Sequence, residues 1–321
     1  MKVGFIGLGN AGGKLAGSIL RNGFDLTVHD LNTSFVEDFI KRGAKSVNSP
    51  REMAESCDVV ITCLPSPTAC SEVMESSDGV LSGLSKGKIW LEMSTTDEAE
   101  IRRIGALVEA VGALPIDCPV SGGCHRADTG NISIFAGCTR VAFEKALPIL
   151  TTMGRRVLHT GSLGTASTLK VMTNYLATVN LASIAEALTT MKKLGMDMNV
   201  TYEAIKASSG TSFVHETESQ VILNGSRDIS FTMDLVSKDV GIFNELAQRK
   251  GLDLEIAPLI VKIFKDGEKR YGPRELSPNI IKRLEERANV KVLGDGFPAE
   301  IIDDEPEEKG YEVIIKGRKD I

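Results

Sequence analysis

The most constraining stretch of this 321-residue chain runs from Gly161 to Gly195. Between Thr165 and Met191 only Lys170 and Glu186 carry full charge, and no proline interrupts. Leu169, Val171, Leu176, Leu181, Ile184 and Leu188 are spread around every face of a 3.6-residue helix. Gly195 stands where a helix C-terminus favours a residue without Cβ. The pattern predicts one long helix, roughly 45 Å at about 1.5 Å per residue, buried almost all round. Thr173, Asn174, Asn180, Glu186 and Thr189 make it too polar for a membrane span. A lysine near the start of a buried helix is costly unless it has a task. Asn174, four residues on, shares its face, so Lys170 and Asn174 form the candidate catalytic pair.

The opening residues have a second signature. Val3–Ile6 is a short apolar run that leads into Gly7-Leu8-Gly9-Asn10-Ala11-Gly12, then a helical pattern through Leu15 and Ile19. Leu26–His29 reads as a second strand ending on Asp30, eighteen residues after Gly12. A lone G-x-G-x-x-G is weak, but strand, glycines, helix, strand and terminal acid in this order point to a dinucleotide. Gly7, Gly9 and Gly12 let backbone amides approach a pyrophosphate at a helix N-terminus. Asp30 would accept bonds from the adenosine ribose hydroxyls and repel a 2′-phosphate, which favours NAD over NADP.

Strand–helix alternation continues with strands at Asp58–Leu64, Lys88–Met93, Leu114–Cys118, Ile132–Ala136 and Arg156–Thr160, the last closing the sheet. Leu64-Pro65, Ser94-Thr95 and Ser121-Gly122-Gly123 fall at carboxyl ends of strands, where such sheets bind ligands. After the long helix the segments Val200–Ala207, Thr217–Leu223, Asp234–Arg249 and Ile256–Lys269 all read as helices. The expected fold is α/β: a Rossmann-type doubly wound sheet domain (1–160), joined by the long interdomain helix to an all-α domain (161–288). A C-terminal extension (289–321) holds short strands at Val290–Leu293 and Tyr311–Ile315, with the acidic run Asp303–Glu308 between them.

Composition narrows the partners. A net charge of -6 with acids and bases interspersed argues against nucleic acid or an anionic membrane. The six cysteines form no C-x-x-C pair and have no histidine at metal-ligand spacing, so reduced thiols and no metal are expected. The strand at Lys2–Ile6 follows directly on Met1, which points to a cytoplasmic protein. A helix so apolar cannot be covered by a small α-domain alone, so a homodimer or homotetramer is expected.

With these motifs in hand, the chain resembles the 3-hydroxyisobutyrate dehydrogenase family of β-hydroxyacid dehydrogenases, from Lys2 to about Arg287. Four stretches carry the resemblance: Gly4-Phe5-Ile6-Gly7-Leu8-Gly9-Asn10, Asp117-Cys118-Pro119-Val120-Ser121-Gly122-Gly123, Gly161-x-x-Gly164 followed by Lys170 and Asn174, and Lys238-Asp239. The resemblance implies that Lys170 transfers the proton and Asn174 helps hold the substrate. It implies that Ser121, Gly122 and Gly123 bind the substrate carboxylate. Asn10, Ala11, Asp30, Leu64, Pro65, Thr95 and Lys238 would contact the dinucleotide. Ala11 and Ala166 depart from the usual Met and Gly, and Thr173 from a second Asn. Cys124–Asp128 is more polar than the usual loop, which leaves the substrate open. The 6-phosphogluconate dehydrogenases are less similar, since Thr173 and Ala177 stand where they have His and Glu.

The implied activity is oxidation of a short 3-hydroxy acid to its semialdehyde by NAD, or the reverse. A free lysine titrates near 10.4; partial burial and a cationic nicotinamide would lower it toward a useful base. Alternatives are a reductase of succinic or tartronate semialdehyde, or an NAD-binding interaction protein without catalysis. Lys170, Asn174 and Ser121 together favour the enzyme. His29, His125, His159 and His215 are not needed as bases. Arg126 is by default a surface residue; facing the pocket, its planar fork would suit a second carboxylate, hence a substrate with an anionic or hydroxylated tail.

Overall fold

The computed structural model describes residues 1–317. The chain folds as two units, Met1–Lys170 joined by the segment from Asp303 onward, and Val171–Ile302. The first is a mixed α/β unit. Among the described residues its strands are β1 (Lys2–Ile6), β2 (Asp25–His29), β3 (Lys45–Ser46), β4 (Val59–Thr62), β5 (Ile89–Glu92), β6 (Leu114–Asp117), β7 (Val120–Ser121), β8 (Ile132–Gly137), β9 (Gly154–Gly161) and β10 (Tyr311–Glu312). They form one sheet in the order β10-β9-β8-β6-β5-β4-β1-β2-β3, with β7 paired to β8. The run β3-β2-β1-β4-β5-β6 is parallel throughout and has the strand order of a doubly wound dinucleotide fold. Pairing turns antiparallel where β8 meets β6 and β7.

Period-two alternation explains why this sheet is covered on both faces. Val3, Phe5, Ile61 and Leu91 join one apolar cluster, while Ile6, Val60 and Trp90 join another on the opposite side. The second unit is helical and packs Leu181, Leu188, Ile222, Val240 and Phe264 into its own core. Its buried Arg227 forms a 2.9 Å ion pair with Glu285.

The long helix spans Thr165–Lys193 and is closed by Gly195, whose φ is +79°. It is not covered all round as expected. Leu169, Leu176, Ser183 and Thr190 are exposed in the single chain, and seven residues are about two turns, so these side chains line one open face. No described helix is long and apolar enough to cross a membrane. The division between units falls at Lys170, inside this helix, rather than before it at Gly161. The first turn belongs to the sheet because Ser167 is hydrogen-bonded to Asp117 of β6.

The C-terminal segment also departs from expectation. Val290–Leu293 is irregular rather than a strand, and Val292 N–H is satisfied by Glu285 Oε1 (2.7 Å). Tyr311–Glu312 extends the sheet parallel to β9, so β9 does not close it. The segment is seated at Gly310, whose N–H donates to Thr151 O (3.0 Å) and where a Cβ would lie 1.9 Å from Gly154 O. Gly310→Ala should therefore lift β10. Amide exchange at Val313, bonded to Val157 O (2.8 Å), should quicken at least about tenfold, roughly 1.4 kcal/mol of local stability. Unchanged exchange would mean that Gly310 is not the seat of the strand.

Candidate active site

β1 delivers the chain to the dinucleotide end of the sheet. After Ile6 the backbone turns at Gly7, with φ +95°, where a Cβ would lie 2.3 Å from the Cys63 carbonyl oxygen. At Gly12 a Cβ would meet the Gly7 carbonyl oxygen at 2.0 Å, whereas around Gly9 the space is open. The helix Asn10–Arg21 begins there, with Ala11 in its first turn and no side-chain cap on Gly9. Its positive dipole end lies beside that open space. Asp30, directly after β2, accepts the Leu8 N–H on Oδ2 (2.6 Å) and the Asn32 N–H on Oδ1 (2.7 Å). The acid thus fixes the glycine loop, and a carboxylate's roughly four acceptor positions are not exhausted by two bonds. Uncapped helix terminus, open glycine and terminal acid together fit a dinucleotide.

A buried network ties the carboxyl ends of β4 and β5. Leu64 N–H, next to Pro65, donates to Ser94 Oγ (2.7 Å). Glu92 is fully buried and accepts from Ser94 N–H (2.7 Å), Thr62 Oγ1 (2.7 Å) and Cys70 Sγ (2.8 Å). Burial pushes its carboxyl up in pKa, against the pull of these donors. The sequence reading missed Glu92; its signal was an acid ending the apolar strand Ile89-Trp90-Leu91. Ser94 does the local turn work its position suggests, and the same hydroxyl fixes Leu64. Thr95 follows directly in this edge.

β6 ends on Asp117, which is buried. It accepts Ser167 N–H on Oδ2 (2.8 Å) and Ser167 Oγ on Oδ1 (2.7 Å). Ser167 is in the first turn of the long helix, where the dipole favours an anion. Lys170 follows about one turn later and is only 9% exposed. Four residues beyond Asp117 comes Ser121, paired opposite Ser133 in β8. Gly122 (φ +131°) and Gly123 (φ +90°) follow, the second opening the short helix Cys124–Asp128.

The side chains after the glycines fold back on them. A Cβ on Gly123 would lie 2.7 Å from His125 Cε1, and one on Gly122 would lie 3.4 Å from Arg126 Cδ. Burial, then the Arg126 charge, lowers the His125 pKa. Arg126 is partly buried, its side chain 23% exposed, and is paired with two acids. Its Nη2 donates to Glu305 Oε1 (3.2 Å), and its Nε lies 4.0 Å from Asp303 Oδ1.

In the second unit, Asn174 Nδ2 donates to Asp239 Oδ2 (2.6 Å), and Lys238 Nζ lies 2.8 Å from Asp239 Oδ1. An ionised carboxylate only accepts, so the amide nitrogen of Asn174 turns to Asp239 and its carbonyl oxygen turns away. Asp239, 1% exposed, is the residue the sequence reading noted beside Lys238 without giving it a task. The remaining histidines are structural: His29, His159 and His215 each donate to a backbone carbonyl, of Val47 (3.2 Å), Cys138 (2.9 Å) and Tyr202 (2.9 Å). All six cysteines are free thiols.

Residues 2–161 match the NAD binding domain of 6-phosphogluconate dehydrogenase, and residues 164–284 the family described as NAD-binding of NADP-dependent 3-hydroxyisobutyrate dehydrogenase. The 2-(hydroxymethyl)glutarate dehydrogenase of Eubacterium barkeri is 31% identical over 295 residues, 92% of this chain and 98% of that protein. The mitochondrial 3-hydroxyisobutyrate dehydrogenase of Mus musculus is 30% identical over 270 residues, 82% of this chain and 81% of that one. The crystal structure of 3-hydroxyisobutyrate dehydrogenase from Salmonella typhimurium superposes with a TM-score of 0.81 at 27% identity, covering 88% of this chain and 99% of that chain.

Asp117 gives the site a pH signature. Burial pushes its carboxyl up to about 7, against about 3.9 in an unfolded chain. Between those values the folded chain holds a proton that the unfolded chain has lost, so this group makes stability fall as pH rises from about 4 to about 7, and not beyond. Asp117→Asn keeps an acceptor for Ser167 N–H and does not titrate. The melting temperature of Asp117→Asn relative to wild type should therefore climb across that window and level off above it. A difference constant with pH would mean that Asp117 is ionised throughout.

Proposed function

Because the chain belongs to the 3-hydroxyisobutyrate dehydrogenase family, we propose that it oxidises a short 3-hydroxy acid to the semialdehyde, or runs the reverse, with NAD as cofactor. It is an oxidoreductase acting on a CH–OH group. The observation that supports this reading of the site is the Asp117–Ser167 tie. Asp117 lies four residues before Ser121, and Ser167 lies three before Lys170, so one carboxylate fixes the spacing between the candidate carboxylate clamp and the candidate base.

NAD, when bound, would supply the hydride acceptor or donor. The chain's own residues do the rest. The Ser121 hydroxyl and the amides of Gly122 and Gly123 hold the substrate carboxylate. Neutral Lys170 Nζ takes the hydroxyl proton on oxidation and gives it back on reduction. Asn174, one turn along, offers its carbonyl oxygen to the substrate hydroxyl because Asp239 holds its amide nitrogen. Gly7, Gly9, Asn10, Ala11 and Gly12 receive the pyrophosphate, and Leu64, Pro65, Thr95 and Lys238 add contacts to the dinucleotide. Asp30 receives the ribose hydroxyls and repels a 2′-phosphate.

Lys170→Ala should lose turnover by more than about 100-fold, with NAD affinity within about twofold of wild type. A variant within tenfold of wild-type turnover would remove Lys170 as the proton-transfer group. In the same assays wild type should prefer NAD to NADP at least tenfold in kcat/KM; equal use would mean that Asp30 does not face the ribose.

We also infer a homodimer or homotetramer. The exposed Leu169 and Leu176 (37% and 51%) on the open face of the long helix support it, since apolar residues on such a stripe favour a partner. Light scattering should report at least two copies at micromolar concentration, and a monomer there would refute this.

A further inference from the structure

The acidic run Asp303–Glu308 is strapped across the first unit. Glu307 bonds to Asn22 (3.2 Å) and lies 3.6 Å from Arg21, while Glu308 pairs with Arg155. Asp303, its side chain 3% exposed, accepts from Thr129 Oγ1 and from Asn131 Nδ2 (2.8 Å). Asn131 Nδ2 also donates to the Glu305 carbonyl (2.8 Å). Burial opposes ionisation of Asp303, but Thr129, Asn131 and the Arg126 charge outweigh it and hold the carboxyl below its usual range. Asp303 and Glu305 of the strap therefore converge on Arg126, whose stem crosses Gly122.

We propose that Asp303 and Glu305 set the substrate class of this enzyme: by engaging Arg126 beside the Ser121-Gly122-Gly123 clamp, they exclude dicarboxylic hydroxy acids and leave monocarboxylic ones with an uncharged tail. The inference rests on the reading that this clamp holds the substrate carboxylate. The physical reason is charge. One guanidinium facing two carboxylates leaves a net negative patch against the glycines, which repels a second substrate carboxylate. Without those two acids the same guanidinium would be a planar, bidentate carboxylate receptor.

Two probes separate the terms, because they are both 3-hydroxy acids and differ only in the substituent on C2. 3-Hydroxyisobutyrate has a methyl there, and 2-(hydroxymethyl)glutarate has a carboxyethyl group. In the full-length chain, the double variant Asp303→Asn, Glu305→Gln should raise the kcat/KM ratio of diacid to monoacid at least tenfold, through the KM of the diacid. Its activity on 3-hydroxyisobutyrate should stay within about twofold. Glu305→Gln alone, at a half-exposed position that tolerates change, should give part of the gain. Arg126→Ala added to the double variant should abolish it. An unchanged ratio in both variants, or a gain that survives Arg126→Ala, overturns the proposal. Wild type inactive on both probes would instead sink the functional reading beneath it, and this inference with it.

Discussion

The bond pair between Asp117 and Ser167 is the constraint on which the rest of the first unit's chemistry depends. A carboxylate at the end of β6 is driven into the interior because β6 lies between β5 and β8, and there it must find donors. The first turn of a helix supplies them: a backbone N–H without an intrahelical partner and a hydroxyl from the same residue. The result is a helix cap made across the fold rather than along the chain. It fixes the axial position of a helix of 29 residues at the turn that precedes Lys170. A lost bond of this kind costs on the order of 1–3 kcal/mol, but the positional effect is larger in consequence. A side chain displaced by about an ångström from a reacting geometry loses much of its effect.

Glu92 repeats the device on the neighbouring strand, β5, opposite Asp117. There the donors are Ser94, Thr62 and Cys70, and the elements fixed are the ends of β4 and β5. Both acids sit at carboxyl ends of strands, beneath loops that the fold assigns to ligands. Buried polar groups of this sort add little net stability, since desolvation offsets most of what their bonds return. Their effect is to give the strand ends one arrangement rather than several. The strap from Asp303 onward applies the same economy at the sheet's other edge, where ionic and backbone bonds hold an added segment to β9 and to Arg126.

Much of this was legible from residue order. Glycine spacing, the acid after β2 and the Ser-Gly-Gly run are local signals, since each works through the backbone of a few consecutive residues. Lys170 stood out because a charge on an apolar helix is conspicuous in one dimension. Asp239 and Glu92 were less legible, since an acid looks the same in sequence whether it points to water or to an amide. The helix Thr33–Lys41 went unread although Asn32 caps it; Phe39 is the one residue it buries fully.

Arg126 marks the limit of that reading. Its place three residues past the glycines suggested a surface side chain or a substrate receptor, and its partners lie about 180 residues away. The sequence by itself determined the two-unit architecture, the strand–glycine–helix entry, NAD-type cofactor chemistry and the lysine at the start of the long helix, because those depend on periodicity and on conformations that few residues allow. Only the tertiary structure decided that the helix's first turn belongs to the sheet, that the acidic tail returns to extend that sheet, and that this tail claims Arg126. Those outcomes depend on which buried or charged groups find each other across the fold, and contact between distant residues leaves no period in the chain.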